Sequence, residues 1–160
     1  MSIHEAVATT IDGEIRSLEM YAGNVLLVVN VASLCGYTPQ YRALEELHRT
    51  YSPRGFRVLA FPSNDFGAQE PGNEQEIRIF CTARYAVTFE MFAKVHAKGD
   101  SIHPVFAALT SSPRGRGDVR WNFTKFLVSR SGEVLSRFEP NIDPMADEVR
   151  QAVDAALADS

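Results

Sequence analysis

The densest apolar block in the chain is VLLVVNV, residues 25–31, broken only by Asn30. Such a run has no polar face to show, so it predicts a strand covered on both sides, as in a mostly parallel sheet. The period then changes. Tyr41, Leu44, Leu47 and Tyr51 recur at three- and four-residue spacing and predict a helix over 40–51, with Thr38 as N-cap and Pro39 at the first helical position. A second apolar run, FRVLAF at 56–61, predicts another buried strand, closed by Pro62, which cannot continue a central strand.

Further along, Asn73 precedes a helical pattern over 74–85, with Glu76 in capping-box position and Ile77 and Phe80 facing inward. Residues 91–95 suggest a short extended piece. A helix starts at His103 or Pro104 and runs to Leu109. Two strand pairs flank turn signals: 6–10 and 14–19 around Ile11-Asp12-Gly13, and 125–129 and 133–138 around Arg130-Ser131-Gly132. Asp143-Pro144 opens a final helix to Leu157, whose inner face is Val149, Val153, Ala156 and Leu157. The order hairpin, βαβα, hairpin, α predicts an α/β chain with the thioredoxin fold: a central mixed β-sheet of four core strands flanked by helices, with an N-terminal β-hairpin extension.

Composition narrows the function classes. The chain of 160 residues, 45% hydrophobic and 22% charged, suits one domain spanning 1–160. A net charge of −4 argues against a nucleic-acid partner. The first residues carry neither a basic leader nor an apolar h-region, and no apolar run reaches membrane-spanning length, so a cytoplasmic location with no stable membrane insertion is expected. The four histidines show no paired ligand spacing, so no metal and no cofactor are expected. The two cysteines, Cys35 and Cys81, form neither a CxxC nor a disulfide framework, and a reducing compartment favours a transient, catalytic disulfide over a structural one.

Cys35 follows the first core strand and precedes the 40–51 helix. Unpaired N–H groups and the positive end of a helix dipole favour a thiolate there. A buried structural cysteine is the competing reading, because free Cys is among the most buried residue types.

Three segments bear on that choice: NVASLCGYT at 30–38, AFPSNDFGAQEPGNEQEI at 60–77 and WNFTKFLV at 121–128. Together they resemble the glutathione peroxidase family, in its bacterial, non-selenium (cysteine) form, across nearly the whole chain. The resemblance makes Cys35 the peroxide-reactive sulfur and places Gln69, Trp121 and Asn122 beside it as a catalytic cluster. Amide and indole N–H donors of that kind stabilise a thiolate and the charge that develops in the transition state. The implied enzyme is a thiol peroxidase that reduces hydrogen peroxide and organic or lipid hydroperoxides through a Cys35 sulfenic acid.

In the thioredoxin-dependent branch of that family a resolving thiol lies in a motif resembling F-C-T-x-x-Y, here Phe80 to Tyr85, which assigns the resolving role to Cys81 and the reductant role to thioredoxin. A helix-borne Cys81 then has to leave its helix to meet Cys35, since a disulfide needs a Cα separation of about 4.4–6.8 Å. Glutathione as reductant, or a sensor that passes its oxidation to a partner protein, are the alternatives. The chain departs from the family pattern at three positions. Ser63 replaces a common cysteine, Asp65 replaces a usual Gln and brings a carboxylate that would oppose a nearby thiolate, and Glu90 stands where many members have Pro. The stretch between Phe106 and Trp121 is short and lacks the insertion that larger members of that family use for tetramer contacts, so the resemblance implies a monomer. Its Arg114 and Arg116 either meet a reductant or form a solvated basic loop.

Overall fold

The computed structural model describes residues 2–159. A two-stranded antiparallel hairpin comes first, β1 (Val7–Thr9) and β2 (Ile15–Ser17), with Ala8 opposite Arg16. The main sheet holds β3 (Val25–Val31), β4 (Phe56–Pro62), β5 (Glu90–Met91), β6 (Lys125–Val128) and β7 (Val134–Phe138), in the order β5-β4-β3-β6-β7. β3 pairs parallel with β4 and antiparallel with β6. The helices are α1 (Gln40–Tyr51), α2 (Glu74–Tyr85), α3 (Pro104–Ser111) and α4 (Asp147–Ala158). This α/β arrangement, a central mixed sheet flanked by helices and preceded by a hairpin, is the thioredoxin fold.

Every residue of β3 is buried, as its unbroken apolar pattern requires. The alternation along it divides the interior. Val25, Leu27, Val29 and Val31 face one layer with α1, α2 and α4, while Leu26 and Val28 face the other with α3 and the hairpin. Each such side chain stabilises the fold by roughly 1.5–3 kcal/mol relative to exposure. No helix among the described residues is long and apolar enough to cross a membrane.

Several local expectations change. α1 has no side-chain cap, because Pro39 already lies in the helical region and the Thr38 hydroxyl is engaged elsewhere. On α2 the inward line is Ile77 and Cys81, four residues apart, whereas Phe80 is only half-buried. The extended piece shrinks to Glu90–Met91, a fifth strand at the sheet edge. α4 starts at Asp147 because Asp143 Oδ1 accepts from Met145 N (2.8 Å) and folds 143–146 into a turn. His103 settles the start of α3: its Nδ1 accepts from Val105 N at 3.1 Å, leaving Pro104 as the first helical residue.

Candidate active site

Strand register assembles the site. Val31 is paired with Pro62 where β3 and β4 both end, so the loops that follow them, 32–39 and 63–73, leave from one edge of the sheet. β6 runs the other way and begins with Lys125 opposite Val29, so residues 121–124 reach the same edge. The carboxyl ends of parallel strands are the usual place for a site in such sheets.

Asn30 fastens the third loop to β3. Its Nδ2 donates to Trp121 O at 3.0 Å and its carbonyl accepts from Phe123 N at 2.7 Å. The first two loops are joined by Leu34 N to Gln69 O (3.1 Å) and Ser33 N to Glu70 Oε1 (3.1 Å). Gln69 follows Gly67 and Ala68, both left-handed at φ +71° and +53°, and Asn122 precedes Phe123 at φ +66°. Non-glycine residues in that region are uncommon and strained, and strain of this kind gathers at functional sites. Gly67 is required: a Cβ there would come within 2.8 Å of the Trp121 ring.

Cys35 is 7% exposed in the turn leading to α1. Its N–H donates to Thr38 Oγ1 (2.9 Å), and that hydroxyl donates to Ala32 O (2.8 Å). The Thr38 side chain thus shapes the cysteine turn. Tyr37 N donates to Cys35 Sγ at 3.3 Å, a backbone donor aimed at the sulfur. Leu34 and Tyr37 on either side are exposed, which gives the thiol an apolar rim.

Asn122 is fully buried, and its Nδ2 donates to Gln69 Oε1 (3.0 Å) and Phe66 O (3.3 Å). The Trp121 ring lies against Gly67, two residues from Gln69. The structure therefore gathers Gln69, Trp121 and Asn122 and hangs the Cys35 loop on Gln69 through Leu34. Among the described residues none of the three side chains hydrogen-bonds the sulfur, and Gln69 Nε2 has no protein acceptor.

Asp65 does not confront Cys35 as a free carboxylate. It accepts from Ala97 N (2.8 Å) and pairs with His96 Nδ1 (2.9 Å). Burial works to raise its pKa, but the His96 and Ala97 contacts prevail and hold it below the ordinary carboxylate range. Ser63 is buried and its Oγ accepts from Asp65 N. Glu90 pairs with Arg16 at 3.0 Å. Arg114 and Arg116 are exposed, and the loop carrying them is held by Arg137, which donates to the carbonyls of Gly115, Gly117 and Asp118.

Cys81 is 1% exposed on the inner face of α2 and unpaired. Burial pushes its thiol up to about 11, although the neighbouring Tyr41 hydroxyl favours the thiolate. Two groups near the site gave no sequence signal as functional residues. Glu70 is buried beneath the joined loops, and Lys125 sits fully buried with Nζ donating to Gln40 Oε1 (2.9 Å), Pro140 O (3.3 Å) and Ile142 O (2.6 Å). Among the described residues no group of three or more His, Cys, Asp or Glu is placed to hold a metal ion.

Comparison with known proteins gives the family. The family model for glutathione peroxidase matches residues 3–110. The chain is 42% identical to the thioredoxin/glutathione peroxidase BtuE of Escherichia coli (strain K12), covering 98% of both chains. It is 43% identical to the hydroperoxy fatty acid reductase gpx1 of Synechocystis sp. (strain ATCC 27184 / PCC 6803 / Kazusa), covering 98% of this chain and 96% of that one. The crystal structure of T. cruzi GPX1 superposes with a TM-score of 0.80 at 30% identity, over 99% of this chain and 97% of that one. With a cysteine at the meeting point of three loops and relatives that match it nearly end to end, this chain belongs to the glutathione peroxidase family and is a peroxidase.

Proposed function

We propose that the chain, acting as one domain, reduces hydrogen peroxide and organic or lipid hydroperoxides through Cys35, with Cys81 as resolving thiol and thioredoxin as reductant. The Cys35 thiolate attacks the peroxide oxygen that ends up bound to it. The O–O bond breaks, the departing alkoxide or hydroxide takes a proton to become alcohol or water, and the sulfur is oxidised to sulfenic acid. Gln69 Nε2 and the Trp121 indole N–H are the donors that meet the developing charge, and Asn122, whose two amide N–H groups are engaged by Gln69 Oε1 and Phe66 O, completes the catalytic cluster by holding Gln69 in orientation. Cys81 then displaces the sulfenic hydroxyl, giving a disulfide and water, and a thioredoxin dithiol reduces that disulfide.

The observation that carries this reading is the junction of Leu34 N with Gln69 O and of Asn122 Nδ2 with Gln69 Oε1, which binds the three loops around Cys35. The name of the E. coli relative supports both thioredoxin and glutathione as reductants, and that of the Synechocystis relative supports fatty-acyl hydroperoxides. We place the enzyme in the cytoplasm as a monomer, a state that sedimentation checks directly.

Stopped-flow consumption of peroxide separates the roles. Cys35→Ser abolishes the reaction. Cys81→Ser completes one round and then stalls with thioredoxin as the only reductant. Sustained thioredoxin turnover by Cys81→Ser overturns the resolving assignment, and turnover with glutathione alone moves the enzyme to the glutathione branch.

A further inference from the structure

Lys125 opens β6 inside the core at 0% exposure. Strand alternation puts it on the same face as Leu127 and its β3 partner Val29, the layer that also holds Cys35. All three ammonium N–H groups are used, since Nζ donates to Gln40 Oε1 (2.9 Å), Pro140 O (3.3 Å) and Ile142 O (2.6 Å). Gln40 is the first residue of α1, while Pro140 and Ile142 lie between β7 and α4. An ammonium has no acceptor to offer, so it fixes the Gln40 amide with the oxygen towards Nζ and the nitrogen donating to Pro140 O at 2.7 Å.

From Gln40 the contacts lead back to the sulfur. Its backbone N–H donates to Tyr37 O at 2.8 Å, and Tyr37 N donates to Cys35 Sγ at 3.3 Å. Tyr37 is exposed and α1 has no side-chain cap, so neither burial nor capping secures this turn. Thr38 holds one side of it, between Cys35 N and Ala32 O, and Gln40 holds the other. Packing gives no reason for an ammonium in this place. A buried charge is costly to desolvate, and an apolar chain of similar length would suit a buried strand position at least as well. The partners of Nζ are neutral oxygens, so no carboxylate is paired with the charge among the described residues.

We propose that Lys125 is a positioning residue for the reactive sulfur: by clamping Gln40 to the 140–142 segment it keeps the Tyr37 N–H aimed at Cys35 Sγ, where that donor favours thiolate over thiol. This rests on the assignment of Cys35 as the peroxide-reactive thiol. Lys125 acts through Gln40 and Tyr37. Three acceptors suit an ammonium, whereas a neutral amine has only two N–H groups to offer them. Burial draws the Lys125 pKa down to about 7 against Asp143 and Glu139, the charged groups that face it, so the clamp is complete in mild acid and loosens as the pH rises.

The test measures alkylation of Cys35 by iodoacetamide, read by peptide mass spectrometry, in the reduced full-length enzyme between pH 6 and pH 10. Only the thiolate reacts, so the rate reports its population. Lys125→Met keeps the length of the chain without its donors, and Gln40→Ala leaves the lysine in place but cuts its link to α1. In both variants Cys35 reacts about tenfold more slowly at pH 6. The difference closes towards pH 10, where an ordinary thiol is already ionised and the wild-type clamp has loosened as well. Peroxide consumption at pH 6 falls by the same factor. An equal slowing at every pH shows altered access to the sulfur and overturns the proposal, and so does wild-type alkylation in Gln40→Ala. If Lys125→Met does not fold, Gln40→Ala decides by the same measurement. If Cys35→Ser still consumes peroxide, the assignment of Cys35 itself has failed, a result distinct from the others.

Discussion

The two cysteines occupy one core cluster, yet their surroundings are opposite in kind. Cys35 sits in a turn at the end of β3, where a backbone N–H from Tyr37 points at its sulfur and its own N–H is held by Thr38. Cys81 sits in the middle of α2, its backbone used by the helix and its side chain buried in the core cluster that also holds Tyr41. Burial alone therefore says little about a thiol's reactivity. What differs is the supply of donors: a strand end followed by a turn leaves N–H groups free to face a sulfur, whereas a helix interior consumes them. These surroundings suit the roles proposed for the two thiols, Cys35 to react first and Cys81 to wait.

The comparison breaks most sharply if the donors around Cys35 are removed. Asn122→Ala deletes the bonds to Gln69 Oε1 and Phe66 O and leaves a buried void, which costs about 1–3 kcal/mol of stability. Gln69 then loses its orientation, and second-order peroxide consumption falls about a hundredfold, the usual scale for losing a positioned transition-state donor. Stopped-flow rates on folded variant measure this. A rate unchanged by Asn122→Ala would show that the Tyr37 N–H suffices and that the three-loop cluster only supports the fold.

A second, smaller effect tests the waiting state of Cys81. If Cys81 is the resolving thiol, α2 is expected to open so that the two buried, unpaired cysteines come within the Cα separation of about 4.4–6.8 Å that a disulfide requires. Amide protons of 77–85 are expected to exchange about tenfold or more faster in the oxidised protein than in the reduced one. The capping box of Asn73 and Glu76 lies at the far end of the helix and keeps the first turn protected in both states. Identical exchange across α2 in the two states rules out the opening.

How far the sequence reveals all this depends on the range of the interaction. VLLVVNV declares its strand because every residue is buried, and Asn73 with Glu76 declares the start of α2 because capping is local. Thr38 misleads for the same reason: a Thr before Pro suits an N-cap, but here its hydroxyl closes the Cys35 turn instead. Phe80 looks like the inward residue by hydrophobicity, yet helix geometry turns Cys81 inward beneath Ile77. Asn30 reads as a blemish in an apolar strand and proves to be the tie to Trp121 and Phe123. Glu70 and Lys125 fall inside the segments that carry the resemblance, but their roles are not legible there, because their partners lie on loops and helices distant in sequence. The motifs name the chemistry, while the contacts that hold it depend on the tertiary fold.

The smallest expected effect concerns Asp65, the residue whose charge the sequence sets against Cys35. Its carboxylate faces the 96–97 segment and is occupied there by His96 and Ala97 N, so Asp65→Asn changes the peroxide rate by less than about twofold. Its consequence is for stability. The folded pKa lies below the unfolded one, so the native state holds the ionised form more strongly than the unfolded chain does. The stabilisation is complete above about pH 5, where the unfolded side chain is almost fully ionised, and is lost as the pH falls through the lower folded value. Because His96 is largely exposed, its size is under about 1 kcal/mol. Denaturant melts of wild type and Asp65→Asn at neutral pH and near pH 3 are expected to differ at the first and converge towards the second. A gap that widens in acid contradicts the sign, and a large gain in peroxide rate shows that the carboxylate faces Cys35 after all.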